Sequence, residues 1–162
     1  MAHDPAALPV VDRVPSPQLE AWRAFLEAYA VTLDVLEREL KAGAELPLTW
    51  YDVLVQLAEA PDNRLRMQDL ADAVLLSKSG VTRLVDRMER SGLVERTRCA
   101  HDRRGTFAAL TPSGRERLRG AAPTHLAGVQ AHFAAHLDDE EAAMLVRLLS
   151  RIAEANRAAR ER

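Results

Sequence analysis

Residues 77–118 read SKSGVTRLVDRMERSGLVERTRCAHDRRGTFAALTPSGRERL, and they decide the fold. Ser77 is a good N-cap for a helix over about 78–91. Within that helix Val81, Leu84, Val85 and Met88 recur at i, i+3, i+4 and i+7, which gives one apolar face. Lys78, Ser79, Thr82, Arg83 and Asp86 fall on the opposite face. Gly92 can take the left-handed conformation that ends a helix. Two short strands follow, LVERTR at 93–98 and TFAAL at 106–110, around the polar, basic tip CAHDRRG. Thr111 then caps a new helix, with Pro112 at its first position.

Upstream, QDLADAV at 68–74 reads as a short helix with Leu70, Ala71 and Val74 inward, and a two-leucine connection leads to Ser77. The order is therefore short helix, tight turn, helix, β-hairpin, which is a winged helix-turn-helix. APDNR at 60–64 is a turn. Pro47 opens a helix over about 48–59 that turns Trp50, Val53, Leu54 and Leu57 inward. Before it, Leu19, Trp22, Leu26, Tyr29, Leu33, Leu36 and Leu40 form a single stripe on a helix over about 18–41, ended by Gly43. So long a stripe serves partly the chain's own core and partly a second subunit. Residues 1–17 hold four prolines and read as an extended arm.

Downstream, the helix begun at Pro112 is expected to break or kink at Gly120 and Pro123 and to resume over about 124–136. Asp138 and Glu141 have the spacing of a capping box. The last helix, about 139–158, aligns Met144, Leu145, Leu148, Leu149 and Ile152.

A chain of 162 residues is one ordinary domain, able to bury a core without a staple. Cys99 is the single cysteine, which excludes an intrachain disulfide and fits a reducing compartment. No apolar run approaches the ~20 residues of a membrane span, and the N-terminus lacks the pattern of a signal peptide. A cytoplasmic protein is expected. Charge is unevenly placed: residues 64–119 hold 13 Lys/Arg against 7 Asp/Glu, while the remainder holds 9 against 17. A basic middle on an acidic frame suits a polyanion. A helix with small polar and basic residues outward, braced by a second helix, suits the major groove of duplex DNA, and a basic hairpin tip suits the adjacent minor groove. There is no glycine-rich phosphate loop, no nucleophile–base pair and no strong metal cluster, so neither an enzyme nor a cofactor is expected.

The 77–118 segment resembles the MarR (multiple antibiotic resistance regulator) family. The matching pieces are the helix start at Ser77–Arg83, the turn Gly92-Leu93-Val94, Asp102-Arg103-Arg104 at the wing tip, and Leu110-Thr111-Pro112 with Gly114. The flanking helices extend the likeness to about 18–158. The resemblance implies a mainly α fold, a winged helix-turn-helix with N- and C-terminal dimerisation helices. The expected division is an arm at 1–17, a dimerisation helix at 18–47, the DNA-binding domain at 48–116 and C-terminal dimerisation helices at 117–162. It also implies a homodimer that binds a pseudo-palindromic operator in double-stranded DNA, usually as a repressor relieved by a small anionic, phenolic or other aromatic effector or by oxidation; the alternative is a DNA-binding protein that needs no effector. Ser77, Lys78, Ser79, Thr82, Arg83, Arg103 and Arg104 carry over as DNA-contacting residues, and Asp102 as the carboxylate that braces the wing arginine.

Other residues have two readings. Arg87 and Arg90 suit phosphate or ordinary surface ion pairs. Cys99, beside Arg98 and near His101, is an incidental thiol or a redox sensor. His125, His132 and His136 share one helical face if the helix runs through them, yet the first helix offers no cysteine or histidine to complete a metal site. Trp22, Tyr29, Trp50 and Tyr51 serve the core or, with His125, line an effector pocket.

Overall fold

The computed structural model describes residues 16–98 and 106–160. The chain divides into two compact units, residues 1–34 and 35–162. Helix α1, Pro17–Ala44, contributes to both. In the first unit Leu19, Trp22, Phe25, Leu26, Tyr29 and Val31 are all exposed. Trp22, Phe25 and Tyr29 stack in a row, with ring centroids 6.0 and 6.2 Å apart.

In the second unit, Leu36 and Leu40 carry the α1 stripe into a core. The chain continues through α2 (Leu48–Glu59), a 3-10 turn at Pro61–Asn63, β1 (Arg64–Arg66), α3 (Met67–Ala73) and α4 (Lys78–Arg90). Strands β2 (Val94–Arg98) and β3 (Thr106–Leu110) follow, then α5 (Pro112–His132), a second 3-10 turn at Ala134–His136, and α6 (Asp139–Arg160). The sheet is antiparallel, in the order β1-β3-β2. Leu54, Leu57, Leu70, Val81, Val85, Met88, Val94 and Ala108 form the core where α2, α3 and α4 meet the sheet.

Four sequence expectations are corrected. Helix α1 does not stop at Gly43 but passes through it to Ala44, and the chain turns at Glu45, with φ 50°. The Glu45 N–H bonds the Lys41 carbonyl at 3.0 Å, and Arg117 donates to the Glu45 carbonyl at 2.9 Å. That bend lets the next residue, Leu46, be buried, so a tertiary demand overrides the glycine signal. Second, the 60–64 turn runs into a strand, because Arg64–Arg66 pairs with Phe107–Ala109. Third, α5 is continuous through Gly120 and Pro123. Pro123 is exposed, as is Arg119, whose carbonyl loses its partner to the missing N–H and can turn to water. Ala121 and Gly128 meanwhile hold the buried side of the helix. Fourth, Tyr51 rather than Trp50 joins the α2 core face; Tyr51 is buried and Trp50 only half-buried.

The capping expectations are met. Ser77 Oγ accepts from the Gly80 N–H at 3.1 Å, and Thr111 Oγ1 from the Gly114 N–H at 2.9 Å. Asp138 and Glu141 exchange reciprocal bonds of 2.8 and 3.0 Å at the start of α6. One cap was not legible: the Leu48 N–H at the start of α2 donates to Glu37 Oε2 of α1 at 2.5 Å. Burial alone would raise the Glu37 carboxyl, but Lys41 at 2.6 Å and this N–H outweigh it and hold it below the usual range.

Candidate nucleic-acid interface

Helix α4 has the two faces that its sequence predicts. Val81, Leu84, Val85 and Met88 are buried beneath it. Lys78, Ser79, Thr82, Arg83 and Arg87 are exposed on the other side. Ser77 and Ser79 share a hydroxyl contact of 3.2 Å, and Thr82 Oγ1 donates to the Lys78 carbonyl at 2.8 Å. The hydroxyl groups at the start of α4 are thus ordered by their own helix. Arg90 Nε donates to the Asp86 carbonyl at 3.2 Å, which turns it back along the helix.

Helices α3 and α4 end with the same device. At the end of α4, Gly92 has φ 71°, the Leu93 N–H bonds the Met88 carbonyl at 3.0 Å, and the Gly92 N–H bonds that of Glu89 at 2.9 Å. At the end of α3, the Leu76 N–H bonds the Ala71 carbonyl at 3.0 Å around Leu75, with φ 55°. This second turn sets the position of α4 relative to α3, and a leucine fills the place a glycine usually takes.

Strand β2 is tied to α4 through Arg96. Its Nη2 lies 2.6 Å from Asp86 Oδ1 and its Nη1 lies 2.6 Å from Glu89 Oε2. Nη2 also reaches the Thr82 carbonyl at 3.2 Å, and the Arg96 N–H donates to Glu89 Oε1 at 2.9 Å. On the other side of the sheet order, Arg64 and Arg66 of β1 stand over the Phe107 ring at 5.2 and 5.4 Å. Sequence reasoning passed over Arg96. The available signal was two carboxylates three residues apart on an otherwise basic helix.

The proposed wing-tip residues Asp102, Arg103 and Arg104 lie outside the described residues, as does Cys99. Of the proposed pocket, the structure brings Tyr51 and His125 together, with ring centroids 4.3 Å apart. Burial pushes the His125 imidazole below its ordinary range. Burial, helped by Asp52 and Glu59, pushes the Tyr51 phenol up. Nδ1 of His125 is buried and has no hydrogen-bond partner among the described residues. Trp22 and Tyr29 belong to the exposed row on α1. The three histidines do not share a helix face: α5 ends at His132, which pairs with Glu39 at 2.7 Å, and His136 falls in the following turn. Among the described residues no group of three His, Cys, Asp or Glu side chains could hold a metal ion. No described helix is long and apolar enough to cross a membrane.

Comparison with known proteins agrees with this geometry. The sequence model of the MarR family matches residues 44–105. The chain is 32% identical over 108 residues to the HTH-type transcriptional repressor YetL of Bacillus subtilis. That match covers 67% of this chain and 64% of YetL, under two-thirds of the relative's length. Among solved structures, AbsC, a MarR family transcriptional regulator from Streptomyces coelicolor, superposes with a TM-score of 0.83 at 39% identity, over 90% of this chain and 99% of AbsC. Sco3205, a MarR family regulator from the same organism solved in complex with DNA, gives 0.82 at 36% identity, over 88% of this chain and 93% of its own. With its capped α4, its three-stranded wing sheet and these likenesses along nearly its whole length, the chain belongs to the MarR family of winged-helix transcriptional regulators.

Proposed function

We propose that the protein is a sequence-specific, double-stranded-DNA-binding regulator of transcription that works as a homodimer and represses its targets. The observation that carries this reading is α4, an apolar-bottomed helix whose N-terminal face is lined by exposed Lys78, Ser79, Thr82 and Arg83. In this reading α4 enters the major groove, and its N-terminal residues read base edges. Arg103 and Arg104 of the wing reach the minor groove, with Asp102 as the brace. Two subunits place two such helices about 10 base pairs apart on one face of a pseudo-palindromic site. The DNA-bound relative and the repressor among the relatives support the assignment.

Selection of bound duplexes from a random pool tests it, followed by titration of the enriched sequence at several salt concentrations. An enriched palindrome, with affinity falling steeply as salt rises, is expected. Replacing Lys78 and Thr82 together by alanine should relax sequence preference more than it lowers binding to random duplex. Equal loss on both would count against base readout by α4. Arg104→Ala should weaken binding without unfolding the protein, and wild-type affinity in that variant would contradict the wing assignment.

A small aromatic effector relieving repression is a second reading, favoured by the Tyr51–His125 pair and the unpartnered Nδ1. A phenol or carboxylate hydrogen-bonded to that nitrogen would gain a buried contact that water cannot easily replace. A His125→Phe variant that responds to phenolic ligands as the wild type does would exclude this site. Oxidation of Cys99 is the competing switch, and an unchanged peroxide response of DNA binding in Cys99→Ser would exclude it.

A further inference from the structure

A helix that approaches phosphates gains nothing from carboxylates on its flank, yet α4 carries Asp86 and Glu89. Thr82, Asp86 and Glu89 stand at i, i+4 and i+7, one stripe along two turns of the helix. Arg96 of β2 meets all three: Asp86 and Glu89 each at 2.6 Å, and the Thr82 carbonyl at 3.2 Å. Its own N–H adds a bond of 2.9 Å to Glu89. The Arg96 side chain is 24% exposed, while Asp86 and Glu89 are 47% and 39% exposed. The carboxylates therefore face solvent more than the cation that holds them.

We propose that Arg96 is a positioning residue for duplex recognition: it locks the wing strand to the recognition helix and offsets half of the negative charge that Asp86 and Glu89 place beside the base-reading face. The inference rests on the DNA-binding reading above and deepens it. The planar guanidinium fork serves two carboxylates and a carbonyl at once, which a lysine ammonium, a single point charge, cannot do in the same geometry. Without Arg96, Asp86 and Glu89 would repel any phosphate within the screening distance of ~8 Å at physiological salt. The wing would also lose a side chain that ties β2 to the middle of α4, so helix and wing would no longer arrive at their grooves in fixed relation. Partly exposed ion pairs add little to folding stability, so the effect belongs in binding.

The test uses the full chain and two synthetic duplexes of about 30 base pairs, long enough for two half-sites one turn apart. One carries the sequence enriched by the wild type and the other is its scrambled version. Arg96→Met should lose about tenfold or more in affinity for the enriched duplex and less for the scrambled one, with a nearly unchanged thermal midpoint. Arg96→Lys should recover scrambled-duplex affinity without recovering the preference. Adding Asp86→Asn and Glu89→Gln to Arg96→Met should do the same, because it removes the repulsion and leaves the wing unlocked. With Arg96 intact, Asp86→Asn with Glu89→Gln should tighten scrambled binding and narrow the preference; this arm decides the matter if Arg96→Met fails to fold. A wild-type preference and affinity in Arg96→Met, or in the double variant when Arg96→Met is unfolded, overturns the role of Arg96 and leaves the DNA-binding reading standing. A wild type that binds neither duplex overturns both.

Discussion

Single residues set the entry to α4. Ser77 Oγ satisfies the Gly80 N–H at 3.1 Å, one of the donors a helix start leaves unpaired. Ser77→Ala should cost about 1 kcal/mol in denaturant unfolding. Two residues earlier, Leu75 holds φ 55° while 79% exposed, so it bears a left-handed backbone with little packing to offset it. Leu75→Gly should stabilise the fold by about 1 kcal/mol, read as a higher denaturation midpoint at unchanged slope. His125 gives a pH dependence. Burial holds its folded pKa below the ordinary 6.5, so as pH falls the unfolded chain takes up a proton first. Its contribution to stability is therefore complete above that value and is lost as pH drops from it towards the folded pKa. Between about pH 8 and 5 the thermal midpoint of the wild type should fall more steeply than that of His125→Gln.

Elements are joined by close backbone approach. At Gly114, in the first turn of α5, a Cβ would stand 2.0 Å from the Leu93 carbonyl oxygen and 2.9 Å from Leu110 Cδ1. That carbonyl also accepts from the Thr111 N–H and Oγ1, at 3.3 and 3.0 Å. The start of α5 is thereby clamped on the end of the α4–β2 turn, and the nearest obstacle, the Leu93 carbonyl, is backbone and cannot swing aside as a side chain could. Gly114→Ala should destabilise the protein by about 1–3 kcal/mol, measured by urea unfolding, through backbone displacement rather than lost contacts. Thr111 bonds across this junction, Gly114 leaves room for it, and Leu110 packs against it. Farther along α5, Gly128 lies where a Cβ would meet Glu39 Oε2 and Leu36 Cδ2, both at 2.8 Å, so α1 and α5 cross closely there.

At the scale of the molecule, two helices among the described residues leave several large apolar side chains each uncovered. On α1 they are the row Leu19, Trp22, Phe25, Leu26 and Tyr29, and on α6 they are Met144, Val146, Leu148, Leu149 and Ile152. Faces of this kind are costly in water and are the natural seams of a dimer. In the homodimer proposed above, replacing Leu149 and Ile152 by glutamate should shift the protein to monomer in sedimentation. It should also weaken operator binding far more than binding to a single half-site. Retention of the dimer would place the seam elsewhere.

The sequence alone determined the winged-helix reading, because its signals are local. The apolar spacing in Val81–Met88, the capping hydroxyls of Ser77 and Thr111, and the left-handed Gly92 each depend on neighbours within a few residues. The polar face of the candidate interface was legible for the same reason. What only the tertiary structure decided were matters of distance between elements. The pairing of β1 with β3, the bend at Glu45, the uninterrupted course of α5 past Pro123, and the capping of α2 by Glu37 all depend on partners far along the chain. The bridge from Arg96 to Asp86 and Glu89 belongs with them, since it crosses from a strand to a helix. Short-range steric and hydrogen-bonding preferences are written residue by residue, but which buried neighbour outweighs them is fixed only when the chain packs.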